Sequence, residues 1–84
     1  MDYLNASPPV LRDYLVYLET ILGRSPNTVN EYYLDLRIFF RFLLQKRGLV
    51  SPPELDFDAI PIDAVDLELL RSVTRADVLD FLVF

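Results

Sequence analysis

The sequence contains no cysteine, no histidine and no tryptophan, and only two glycines in 84 residues. Without cysteine there are no disulfides and no thiolate metal sites. Without histidine there is no imidazole general base, no Ser-His or Cys-His pair and no histidine-containing zinc site. No apolar run approaches the roughly 20 residues of a membrane span. Met1 to Pro9 has no basic stretch followed by an apolar one, so it does not read as a signal peptide, and the expected address is the cytoplasm. A glycine-rich phosphate loop and a nucleophile elbow are also missing. The acidic stretch "DFDAIPIDAVDLE" lacks the glycine turn and ligand spacing of a calcium loop. No metal, cofactor, small-molecule substrate or catalytic residue is therefore expected, and a solvated acidic surface is the better reading of the carboxylates.

What is present is material for one small core. Hydrophobic residues make up 52% of the chain, with six Phe and five Tyr. A chain this short buries only about 60% of its unfolded surface, so residues 1–84 are expected to form a single domain. The net charge of −5 is unevenly spread: residues 1–23 sum to −2, residues 24–50 to +3 and residues 51–84 to −6. A basic middle between acidic ends makes the local field more informative than the total.

The spacing predicts helices. Ser7-Pro8-Pro9 opens one over residues 8–22, with Ser7 as cap and Leu11, Tyr14, Leu15, Leu18 and Leu22 on one face, and Gly23 ends it. Ser25-Pro26 opens a second, which runs to Lys46 or Arg47 and is closed by Gly48. Its core face is Val29, Tyr32, Tyr33, Leu36, Phe39, Phe40, Leu43 and Leu44, and its basic last turn suits the helix dipole. Prolines at 52, 53 and 61 interrupt helix, and Phe57, Ile60 and Ile62 are expected to pin this connection to the core. A short helix is expected around Asp66–Ser72 with Leu67 and Leu70 inward. Thr74 to Asp77 reads as a capping box ahead of Val78, Phe81 and Leu82. The expected fold is all-α: a small orthogonal bundle of three to four helices. The ending "DFLVF" has no glycine, basic turn or polar exit. It reads as a cut within or just after an element, so the chain is expected to be a fragment of a longer protein, truncated at its C-terminus, rather than to end on a docked natural terminus.

Around the second helix, Asn30, Arg37 and Arg41 lie beside the core stripe, with Asn27 further round and Glu31 and Asp35 on the other flank. Asn27 and Thr28 sit in the first turn, where free amides favour a phosphate. These groups suit a nucleic-acid backbone. Against that, Ser25 and Thr28 are ordinary helix-start residues and exposed arginine is commonplace. Leu34, Ile38 and Phe42 form a second apolar stripe, expected to be covered by the later helices. Left bare, it would instead serve a helical protein-interaction module without nucleic-acid binding, the alternative function.

The motif Ser25-x-Asn27-Thr28-x-x-x-Tyr32-x-x-Asp35-Leu36-Arg37-x-Phe39, followed by Phe42-Leu43, resembles the second helix of the N-terminal core-binding domain of tyrosine recombinases, the phage-integrase and Xer-type enzymes. "LRDYLVYLETILGRS" is similar to that family's first helix and "VTRADVLDFL" to a later one, while "IPIDAVDLELLRSVT" is similar to a pattern in recombinases of Gram-positive bacteria. The resemblance implies a SAM-like helical domain forming half of a C-shaped clamp on duplex DNA. The other half would be a catalytic domain bearing a tyrosine nucleophile, two arginines and histidine. The family's His-x-x-Arg motif has no counterpart here, so this chain is expected to be catalytically inert, and the family's usual last helix is also missing. The resemblance makes Asn27, Thr28 and Arg37 the DNA-contacting positions; Arg41 is added from its place one turn on. It further implies that the parent protein's own catalytic domain and other recombinase protomers are partners.

Overall fold

A computed structural model describes residues 7–83. The readings of residues 1–6 and of the terminal Phe84 lie outside the described residues. Four α-helices are found among the described residues: α1 (Pro9–Thr20), α2 (Pro26–Lys46), α3 (Leu67–Arg71) and α4 (Arg75–Leu82), with a 3-10 turn at Phe57–Ala59. The all-α bundle expected from the sequence is observed, with no strand among the described residues. No helix among them is long and apolar enough to cross a membrane.

The proline pairs decide where the first two helices begin. A residue before proline is pushed out of the α region, and both Pro8 (ψ 157°) and Ser25 (ψ 154°) are extended. At α2 this places the Ser25 hydroxyl correctly, and Thr28 N–H donates to it at 3.2 Å. At α1 the extended residue is Pro8, which has no side-chain cap to offer. Ser7 is one position too early to cap, contrary to the expectation. The Pro8 carbonyl instead accepts from the amides of Leu11 and Arg12 at 3.0 and 2.9 Å. Both glycines adopt positive φ, 66° at Gly23 and 69° at Gly48. After α2 the two bonds of a Schellman stop are present: Gly48 N–H to Gln45 O at 3.1 Å and Leu49 N–H to Leu44 O at 2.9 Å.

The core forms where α1 and the segment at 60–65 pack on α2. Leu11, Leu15 and Leu18 of α1 meet Val29, Tyr33, Phe40 and Leu44 of α2, and Ile60, Ile62 and Val65 close the cluster. Ile60 and Ile62 pin the proline-rich connection as expected, with Phe57 packed partly against the same core. Several expected core positions sit at its rim: Tyr14, Leu22 and Tyr32 are each more than two-fifths exposed. α1 ends at Thr20, two residues short of the sequence reading, so Leu22 falls in the turn rather than on the helical face. In α3, Asp66 caps through Leu69 N–H at 2.8 Å. That fixes Leu67 at the outward first position, where it is exposed, while Leu69 and Leu70 pack on the core.

α4 is held to the end of α2 by a buried carboxylate. Asp77 completes the expected capping box, accepting from Thr74 N–H at 2.8 Å while its own N–H donates to Thr74 Oγ1 at 3.2 Å. It also receives Arg47 through both terminal nitrogens, at 3.1 and 2.8 Å, and Lys46 at 2.7 Å. Arg47 reaches on to the Ser72 carbonyl at 3.0 Å, and Lys46 to Asp80 at 2.6 Å. Arg47, Lys46 and the Thr74 amide hold Asp77 far below the usual carboxylate range, and the same contacts raise Lys46 and Arg47. Beside this cluster, Phe81 stacks edge-on against Phe39 at 5.1 Å and tilted against Phe42 at 5.4 Å. The second apolar stripe of α2 is thus covered at Phe42, while Leu34 and Ile38 remain exposed.

Leu15 has no exposed surface, so Leu15→Ala is expected to cost about 2–5 kcal/mol, read as a lower urea midpoint at unchanged slope. Asp77 generates a pH signature. Its folded carboxyl stays charged well below the ordinary aspartate value, so its contribution is complete above about pH 4 and is lost as pH falls below that value. Urea unfolding between about pH 2 and pH 7 should show a steep loss of stability below about pH 4. Asp77→Asn should be less stable at neutral pH and lack that steep limb.

Candidate nucleic-acid interface

Five cations lie between residues 24 and 50; Arg24 is exposed in the turn before α2, and the fold sorts the other four. Lys46 and Arg47 are engaged by Asp77 and Asp80. Arg37 and Arg41, one helical turn apart on α2, form no ion pair with a carboxylate among the described residues. Both are partly buried. The Arg37 guanidinium lies 5.4 Å from the centre of the Tyr33 ring, a cation–π distance. Its Nε is buried and has no hydrogen-bond partner. Arg41 donates from Nε to the Ile60 carbonyl at 2.9 Å, which ties the proline-rich connection to α2 and fixes the guanidinium plane. Burial first, and then the Arg37 charge, push Arg41 below its ordinary value, while Asp58 and Tyr33 offset part of that.

These side chains border a cavity of about 390 Å³ lined by Tyr33, Arg37, Arg41 and residues 60–63. Its base is apolar, from the buried Ile60 and Ile62, and Asp63 stands in its wall. A charged fork over an apolar base strengthens any bond to an anion, because the local dielectric is lower than that of water.

Of the four residues singled out from the sequence, the fold brings Arg37 and Arg41 together. Asn27 and Thr28 are on the same helix but about 15–20 Å away along its axis. Asn27 is exposed and lies about 40° round from Arg41, whereas Thr28 lies about half a turn from Arg37. The Thr28 hydroxyl accepts from Ser25 Oγ at 3.0 Å and is part of the helix cap. Tyr33, the Ile60 carbonyl and Asp63 were not legible as site residues. Tyr33 reads as core from its angle, and the other two lie about twenty residues from the arginines with no local motif to join them.

No family model matches the chain, and no solved structure matches it. Over 77 residues, 92% of this chain, it is 46% identical to the tyrosine recombinase XerC of Caldanaerobacter subterraneus subsp. tengcongensis. The chain is tyrosine-recombinase-related. It spans 22% of the length of that relative. The aligned length takes in most of the helices of this recombinase-related chain, so the kinship covers the bundle as a unit rather than one motif.

The Arg41–Ile60 bond makes a specific demand on the domain. Arg41→Ala should cost about 1–2 kcal/mol and speed amide exchange at residues 60–63 by roughly tenfold. Arg37→Ala, which removes no bond to that segment, should leave exchange there unchanged.

Proposed function

We propose that this chain is the DNA-binding, N-terminal core-binding domain of a site-specific tyrosine recombinase of the integrase or Xer type. In this reading residues 1–84 grip duplex DNA from one side, opposite a catalytic domain contributed by the rest of the parent protein, in the cytoplasm. The chain itself performs no catalysis. Arg37 and Arg41 meet the phosphate backbone from the flank of α2. Asn27 meets it at the helix start with its side chain and its backbone amide, the first-turn amide beside Thr28 that the Ser25 cap does not take. Further recombinase protomers on the same DNA are the remaining partners.

The observation that carries the reading is the sorting of charge. Lys46 and Arg47 are ion-paired with Asp77, whereas Arg37 and Arg41 are held beside one cavity without an ion-pair partner among the described residues. Kinship to a tyrosine recombinase supplies the class of partner.

The test is a titration of duplex DNA at several salt concentrations. Contact with two to three phosphates predicts a log–log slope of roughly −2 to −3. Arg37→Glu and Arg41→Glu should each weaken binding about equally on unrelated sequences, since backbone contacts position without reading bases. Affinity indifferent to both replacements would remove α2 as the contact surface. It would favour the protein-interaction alternative, for which the exposed Leu34 and Ile38 are the natural surface.

A further inference from the structure

We propose that the cavity between α2 and the 60–63 segment is a seat for a single phosphodiester oxyanion, gripped jointly by Arg37 and Arg41, with the proline-rich connection forming its second wall. This deepens the duplex-binding reading and rests on it for the natural ligand. Two arginines a turn apart on a helix face would ordinarily reach two separate phosphates. Here they do not point independently. Arg41 is fixed by its bond to the Ile60 carbonyl, and its terminal amino groups are left for another acceptor. Arg37 lies over the Tyr33 ring and carries a buried Nε that has no acceptor. Both border the same cavity of about 390 Å³, ample for one tetrahedral oxyanion.

The charge of the wall sets the class of anion. Among the lining residues, two guanidinium groups and the Asp63 carboxylate sum to +1, and Asp58 acts on Arg41 from beside them. That suits a singly charged phosphodiester, and Asp63 opposes a dianion. Burial first, and then the nearby Arg37 charge, disfavour the Arg41 cation, and one anion between the two guanidinium groups would relieve both. Residues 60–63, with no motif of their own, thereby become part of the interface.

Two measurements on the 84-residue chain test the seat. In the first, inorganic phosphate replaces chloride at fixed ionic strength and mildly acidic pH, where it is a monoanion, while the arginine Nε–Hε NMR signals are followed. The Arg37 and Arg41 signals should move together with one Kd, and D63N should lower that Kd by about threefold or more. In the second, the salt slope of duplex binding is compared between wild type and the double variant R37Q/R41Q. A shared phosphate predicts a slope smaller in magnitude by about 0.9, and two separate phosphates by about 1.8. A silent Arg37 signal, or a loss of about 1.8, overturns the seat and leaves the duplex reading standing. Phosphate moving both signals, with duplex binding unaffected by R37Q/R41Q, keeps the seat and overturns the duplex reading.

Discussion

The buried carboxylate of Asp77 fixes the end of α2 to the start of α4, and much of the surface chemistry follows from it. An ionised group with almost no exposed surface is tolerable only when its lone pairs are filled. Arg47, Lys46 and the Thr74 amide fill them. Such a cluster adds little net stability against well-packed apolar groups, but removing one partner is costly because it leaves a buried charge behind. Its effect here is positional. Thr74 and Asp77 must start a helix at the point where Arg47 ends one, and Phe81 is thereby set against Phe39 and Phe42.

The same cluster divides the cations of α2 and its cap into an ion-paired and an unpaired set. Two cations at the end of α2 are paired with carboxylates. The two in its middle are held by weaker means, a backbone carbonyl for Arg41 and an aromatic face for Arg37. Each keeps donors for an external acceptor. One helix thus serves both purposes: Val29, Tyr33, Phe40 and Leu44 anchor it in the core, and the arginines lie on the adjoining flank. Rigid attachment of the flank to the core means that Arg37 and Arg41 need little reordering when they meet an anion.

Much of this was legible in the sequence because it is local. The proline-set starts, the Ser25 and Thr74 caps, the glycine stop at Gly48 and the core stripe of α2 are written within a few residues of where they act. The reading failed where a one-residue shift mattered. Ser7 looked like a cap until Pro9 forced the extended conformation onto Pro8, and Leu67 looked inward until the Asp66 cap fixed the helix start. Tertiary pairings were not legible. Nothing near Arg47 announces Asp77, thirty residues on, and nothing near Arg41 announces the Ile60 carbonyl, nineteen residues on. The site was therefore visible as a pair of arginines, without the wall that turns the pair into a cavity.

The central claim is that α2 meets duplex DNA through the flank bearing Arg37 and Arg41 while Lys46 and Arg47 stay paired with Asp77. The most direct test is amide hydrogen exchange of the chain with and without saturating duplex. The account predicts added protection at residues 25–41 and 60–63 and none at residues 75–82. Protection confined to 75–82, or to the outer face of α1, would contradict it.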